Sequence, residues 1–274
     1  MTINCKGELI DLSDPKIMGI LNVTPNSFFD GGKYKTDLDF LKQVERMLSE
    51  GADFIDVGAY SSKPSAEFVT QEEECQRIVP IVELLLKEFP NLNLSIDTFR
   101  AKVAKVAVEA GAAMINDIAA GALDNQMITT VGELGVPYIM MHMRGNPKTM
   151  QSLTQYDDLV VDMRMYFAEK IALARAAKIN DIIIDPGFGF AKTLEQNYQL
   201  MNKMELFDVF ELPILVGISR KSMIYKLLGI TPQEALNGTT VLNTIALQKG
   251  ANILRVHDVK EAVETRAIVK QLTI

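Results

Sequence analysis

The run Ile182–Phe190, IIIDPGFGF, decides the reading of this chain. Three β-branched residues in succession make a short apolar strand of the kind buried on both faces. Asp185 follows directly. Pro186 and Gly187 then end the strand, because proline has no N–H for a ladder and glycine admits backbone angles that other residues avoid. The residues after them, Phe188–Ala191, form a loop both apolar and bendable. A carboxylate at the rim of an apolar sheet is costly unless something pairs with it. One such Asp alone reads as a helix cap or a structural ion pair. The recurrence of the pattern along the chain points to a site instead.

Outward from this stretch the same unit repeats: apolar strand, polar residue at its C-terminal end, loop, amphipathic helix, often a glycine, next strand. Strands are expected at Ile17–Leu21, Phe54–Val57, Leu92–Ile96, Ala113–Ile115, Pro137–Met141, Ile182–Ile184, Ile214–Val216 and Ile253–Leu254. Helical stretches lie between them. In Leu38–Glu50 the apolar residues at 38, 40, 41, 44, 47 and 48 have the spacing of one buried helical face. Eight such units in about 250 residues point to a (β/α)₈ barrel, preceded by a short hairpin around Lys6–Gly7. A doubly wound open sheet is the alternative. It would carry a glycine-rich dinucleotide fingerprint after its first strand, and Gly19–Gly32 has none.

The 274 residues are 48% hydrophobic and carry a net charge of −7, which argues against a general nucleic-acid binder but does not exclude an anionic substrate. No apolar run approaches the length of a membrane span, and the first residues show no secretory pattern. Cys5 and Cys75 have no metal-type spacing and read as free thiols of a cytoplasmic protein. No linker or low-complexity stretch marks a domain boundary, so residues 1–274 are expected to form one barrel domain.

In such a barrel the site lies where the βα loops converge. The residues expected there are Asn22, Asp56, Asp97, Asn116, Asp117, Met140, His142, Asp185, Ser219–Ser222, Arg255 and His257. Both histidines of the chain fall just beyond apolar strands.

These residues carry a family resemblance. GILNVTPNSFFDGG (Gly19–Gly32), SIDTF (Ser95–Phe99), NDI (Asn116–Ile118), MHMRGNPKTM (Met141–Met150), DPGFGFAK (Asp185–Lys192), GISRKS (Gly217–Ser222) and RVHDV (Arg255–Val259) resemble the dihydropteroate synthases, in order and nearly end to end. The resemblance implies a (β/α)₈ barrel, a homodimer pairing late helices, and Mg²⁺. It implies transfer of a dihydropterin-6-ylmethyl group from its diphosphate to 4-aminobenzoate, in folate synthesis, with sensitivity to sulfonamides.

By resemblance, Asp97, Asn116, Asp185 and Lys221 hold the pterin, with Arg255 beside them. Met140, Ile118 and Leu215 either sandwich the ring or belong to the barrel core, and core is the better reading of Ile118 and Leu215 taken alone. Carboxylates suit the amino and ring N–H donors, and an amide supplies both a donor and an acceptor. Asp97, Asp185, Lys221, Asp30 and Lys63 are the expected catalytic groups. Asn22, Ser62, Lys63, Arg255 and His257 are expected on the diphosphate, with Asn22 as Mg²⁺ ligand. Phe28, Ser62, Pro64, Phe190, Lys221 and Ser222 are expected around 4-aminobenzoate. Ser222 stands at a helix start, which favours a carboxylate or serves as a plain N-cap.

Two loops depart from the family pattern. Where the family has TPDSFSDGG, this chain has TPNSFFDGG, with Asn26 and Phe29 changed and Asp30 kept. Where it has STRPG, this chain has SSKPS, so Ser62, Lys63 and Ser65 differ. Lysine lacks arginine's bidentate fork. The expected consequences fall on amine affinity, drug response and loop closure. A corrinoid-linked pterin methyltransferase and a silent pterin-binding homologue are the competing readings.

Overall fold

The structure is a computed structural model that describes residues 1–23, 37–60 and 69–272. It opens with an antiparallel hairpin, β1 (Thr2–Cys5) and β2 (Glu8–Asp11). Lys6 and Gly7 both take positive φ, at 55° and 89°, as a two-residue hairpin turn requires.

Parallel strands and helices then alternate: β3 (Lys16–Asn22), α1 (Asp37–Ser49), β4 (Phe54–Gly58), α2 (Gln71–Glu88), β5 (Leu94–Asp97), α3 (Ala101–Glu109), β6 (Met114–Asp117), α4 (Met127–Leu134), β7 (Tyr138–Met141), α5 (Leu159–Ala176), β8 (Ile182–Asp185), α6 (Leu194–Asn202), β9 (Leu215–Val216), α7 (Ser222–Leu228), α8 (Leu236–Gln248), β10 (Ile253–Val256) and α9 (Val259–Leu272). The eight parallel strands run in the order β8-β7-β6-β5-β4-β3-β10-β9. A bridge between Ile184 and Ile214 joins the two ends and closes the barrel.

The expected fold is therefore the observed one. Strand ends differ by a residue or two, and the seventh parallel strand is followed by two helices, α7, which starts at Ser222 as expected, and α8. Among the described residues no helix is long and apolar enough to cross a membrane.

Strand alternation sorts the core. Outward-facing residues such as Ile55, Val57, Ile96 and Ile184 pack against the helices in the largest cluster. Inward-facing Met18, Phe54, Met114, Ile139, Ile183, Leu215 and Ile253 fill the lower interior. The hairpin side supplies Ile3, Cys5 and Leu12 to the same cluster and plugs that end. A barrel sealed below by apolar side chains is open to chemistry only above, at the C-terminal ends of its strands.

Candidate active site

The polar ring is built by strand register. Asn22 pairs with Gly58, and Gly58 with Asp97, so Asn22 and Asp97 share the inward face at one level. Asp97 pairs with Asn116, and Met141 pairs with Asp185, which continues that face around the barrel. One turn of the pleat below stand Asp56 and Ser95, also paired. These seven residues, from six parallel strands and distant in sequence, thus point into one space because each sits on an inward position of its strand.

Arg255, on β10, occupies the centre. Its Nε donates to Asp56 Oδ2 at 2.6 Å and its Nη2 to Asp97 Oδ2 at 2.8 Å. Asn116 Nδ2 donates to the same Asp56 oxygen at 3.0 Å, and the Tyr60 hydroxyl donates to Asp97 Oδ1 at 3.1 Å. Asp56 is fully buried, and its Oδ1 has no partner among the described residues; the same holds for the buried Ser95 hydroxyl.

Burial pushes the Asp97 carboxyl up to about 7 even with Arg255 beside it, and the charge of Asp56 adds to the rise. Burial also raises Asp185, against the pull of Lys221. It draws the Lys221 ammonium down to about 8, which Asp185 resists. Burial opposes the charge of Arg255 as well, but Asp56 and Asp97 more than offset it and raise its pKa above the ordinary value. The centre is thus a set of mutually dependent charges held in a dry interior, where each is worth more than in water.

The loop after β8 turns back over this centre. Gly187 N–H donates to Asp185 Oδ1 at 2.7 Å and fixes that carboxylate. Gly187 has φ of 69°, and a Cβ there would lie 2.2 Å from the His142 carbonyl oxygen, so only glycine fits. Lys221 Nζ donates to Phe188 O at 2.6 Å and lies 4.8 Å from the centroid of the Phe190 ring.

The structure brings together Asn22, Asp97, Asn116, Asp185, Lys221 and Arg255. Ile118 and Phe190 join Met141 in a small apolar cluster on the loop side. His257 is anchored near β10, its backbone N–H on Ser219 Oγ at 3.2 Å and its Nδ1 3.1 Å from the same oxygen. Phe28, Asp30, Ser62, Lys63 and Pro64, with the altered Asn26, Phe29 and Ser65, lie outside the described residues.

Several expectations are corrected. Met140 pairs with Asp117 and Ile184 on the outward face and packs under the helices, so Met141 is the inward methionine. Leu215 belongs to the lower apolar layer by the hairpin, the core reading of that residue, and is no wall of the upper site. Asp117 also faces outward and accepts from the Tyr138 hydroxyl at 2.6 Å and from the Ala119 and Gly121 N–H groups. His142 is packed edge-on to Tyr166 at 4.8 Å, away from the mouth. Ser222 is the first residue of α7 with Lys221 at the cap position, so it is no N-cap. Arg255 was expected as a cation for diphosphate, yet two of its N–H groups are already matched by carboxylates.

Asp56, Tyr60 and Lys192 are the residues that sequence reasoning left without roles. Asp56 was visible as the one acid in the strand FIDVG, and Lys192 as the one charge in the apolar run GFGFAK. Nothing in the sequence signals Tyr60.

The pterin binding enzyme family matches residues 18–257. The dihydropteroate synthase of Escherichia coli K12 is 44% identical over 276 residues, covering 98% of this chain and 96% of that one. That of Synechocystis is 43% identical over 89% of this chain and 85% of its own. Among solved structures, the Yersinia pestis enzyme in complex with a sulfonamide drug superposes with a TM-score of 0.95 at 44% identity, covering 100% of this chain and 99% of that one. The Xanthomonas albilineans enzyme with 4-aminobenzoic acid gives 0.91 at 37%, covering 99% and 98%. With a barrel of this topology, a polar ring at its C-terminal mouth and relatives this similar over nearly its whole length, the chain belongs to the pterin binding enzymes, in the dihydropteroate synthase family.

Proposed function

We propose that this chain joins a dihydropterin-6-ylmethyl diphosphate to 4-aminobenzoate, releasing diphosphate and forming dihydropteroate. The observation that carries the reading is the inward triad Asp97, Asn116 and Asp185 with Lys221, set above an apolar floor. A flat pterin edge presents N–H and amino donors beside a carbonyl. The carboxylates accept from the donors. Asn116 already donates to Asp56, which leaves its Oδ1 as a further acceptor. Lys221 supplies the donor for the carbonyl side. Met141 and Ile118 offer apolar contact to the ring.

The bond to be broken joins a methylene to diphosphate, and the dihydropterin ring can delocalise positive charge from that carbon. The path is dissociative: diphosphate departs, Asp97 and Asp185 stabilise the cation, and the amine nitrogen of 4-aminobenzoate attacks and then loses its proton. Phe190 flanks the amine substrate and Lys221 faces its charge. His257 lies on the diphosphate side. Asp30 and Lys63, outside the described residues, are the further catalytic groups that the family resemblance implies.

Mg²⁺ fits this site through Asn22. It is an amide on the inward face beside side-chain-free Gly58, and no cluster of three acidic, His or Cys ligands exists among the described residues. One protein oxygen suits an ion that keeps its waters and shares the substrate's phosphates. When bound, the ion supplies charge neutralisation of the leaving diphosphate.

A homodimer through α7 and α8 is part of the same reading, because Leu227, Leu228 and Val241 stand more than half exposed there. The free thiols Cys5 and Cys75 fit a cytoplasmic setting.

The test is diphosphate release with Mg²⁺ and the dihydropterin diphosphate, with and without 4-aminobenzoate, and with a sulfonamide. Amine-dependent turnover that the drug blocks supports the reading. Pterin binding without turnover indicates a silent homologue, and methyl transfer to a corrinoid partner indicates the other class.

A further inference from the structure

Lys192 is a buried amine that none of the chemistry above uses. Burial draws its ammonium down to about 7 against the pull of Asp185, and the acceptors around it favour the protonated form. Its side chain is 4% exposed. Its Nζ lies 2.9 Å from the Gly187 carbonyl oxygen, 3.0 Å from that of Phe190 and 3.0 Å from His142 Nδ1. An ammonium has three N–H donors, and here there are three acceptors. The arrangement requires His142 to keep Nδ1 unprotonated. Burial together with the nearby Lys192 and Arg144 charges holds the imidazole well below its usual pKa and so keeps that nitrogen an acceptor.

The two carbonyls that Lys192 gathers are the ends of one tight turn. Phe190 N–H donates to Gly187 O at 3.1 Å and closes it. Between them the Phe188 carbonyl points to Lys221 Nζ, and Gly189 N–H donates to Asn197 Oδ1 at 2.6 Å. One short loop is thus held by two ammoniums, Lys192 through its ends and Lys221 through its middle. The loop in turn sets where Lys221 and the Phe190 ring stand. Burying a lysine is costly unless its donors are satisfied, and a surface turn would need no such device.

We propose that Lys192, seated against His142, is a positioning residue: its three-point hold on Gly187, Phe190 and His142 fixes the 187–190 loop and thereby aims Lys221 and Phe190 at the amine substrate. This rests on the reading that Lys221 and Phe190 face 4-aminobenzoate. Asp97 and Asn116 hang on β5 and β6 and make no bond to this loop, whereas Asp185 accepts from Gly187 N–H and Lys221 donates to Phe188 O. The pterin keeps two of its four anchors undisturbed, so the amine half of the reaction bears the larger share of the effect and the pterin half a smaller one.

The test compares wild type with Lys192→Met, which keeps the bulk and removes the donors, and with His142→Phe, which keeps the lysine and removes one acceptor. Diphosphate release is followed with 4-aminobenzoate varied at saturating pterin diphosphate, and the reverse, alongside urea unfolding. Lys192→Met is expected to lower kcat/KM for 4-aminobenzoate by roughly 10²-fold, the scale of a small misplacement, while kcat/KM for the pterin diphosphate falls by a clearly smaller factor, since Asp97 and Asn116 stay in place. His142→Phe shifts in the same direction by less. Wild-type amine kinetics in both variants, or losses that fall equally on both substrates and track lost stability, overturn the proposal. If Lys192→Met does not fold, the kcat/KM split in His142→Phe decides. A wild-type protein without amine-dependent turnover instead removes the functional reading beneath it.

Discussion

The Nε of Arg255 lies 2.6 Å from Oδ2 of Asp56, a residue 199 positions earlier in the chain. The pair sits at the centre of the barrel and connects β4 and β10, its second and last parallel strands in chain order, to the pterin-facing ring. Asp56 also holds Asn116, and Arg255 also holds Asp97, so one buried ion pair orients two of the groups proposed to read the substrate.

Removing one partner of such a pair leaves the other charge buried and unmatched. Asp56→Ala is therefore expected to cost about 3–5 kcal/mol of stability, measured by urea unfolding. Pterin affinity should fall with it, because Asn116 and Arg255 lose their anchor. A variant as stable as wild type would mean that the guanidinium finds water or Asp97 alone sufficient.

Binding of an unphosphorylated dihydropterin should depend on pH with two limbs. Asp97 accepts from the pterin N–H groups most strongly when ionised, and burial pushes its pKa up to about 7, so affinity rises as pH rises through that value. Lys221 donates to the ring carbonyl best when protonated, and its pKa is about 8, so affinity falls as pH rises past it. Calorimetry from pH 5 to pH 9 checks this. A flat profile would show that neither group changes charge on the way.

Gly187→Ala tests the turn that fixes Asp185. A left-handed alanine costs about 1–2 kcal/mol, and the added methyl meets the His142 carbonyl oxygen at 2.2 Å, which backbone cannot easily evade. Stability should drop by roughly 2 kcal/mol or more, and turnover should drop as well, since the backbone shift that relieves the clash carries the residue-187 N–H away from Asp185. Full activity would show that the loop relocates without moving the carboxylate.

Asn22→Ala should raise the Mg²⁺ concentration needed for half-maximal diphosphate binding roughly tenfold, about 1.4 kcal/mol. Calorimetric titration of inorganic diphosphate at several Mg²⁺ levels reads this independently of turnover. An unchanged Mg²⁺ dependence would place the ion on the diphosphate alone.

Much of this protein was legible in its sequence, and the physical reason is local. Runs such as Ile182–Ile184 and Ile253–Leu254 carry their burial in their composition, and helix periodicity carries its own, so eight alternating units already specified the barrel. Polar residues at strand ends then marked its working face. Orientation was another matter. Met140 and Met141 are indistinguishable as a sequence, and only the register against β8 shows which one faces Asp185. Leu215 likewise looked like any strand leucine until pairing placed it in the floor beside the hairpin. Contacts between distant strands were least visible of all. That Arg255 is matched by Asp56 and Asp97, and Lys192 by His142 and two carbonyls, depends on closing the sheet into a ring. The sequence by itself determined which residues are strand, helix and rim. Tertiary structure decided which faces turn inward and which charges meet, because alternation fixes a side chain only after its neighbour's register is known, and because burial gives each charge its strength.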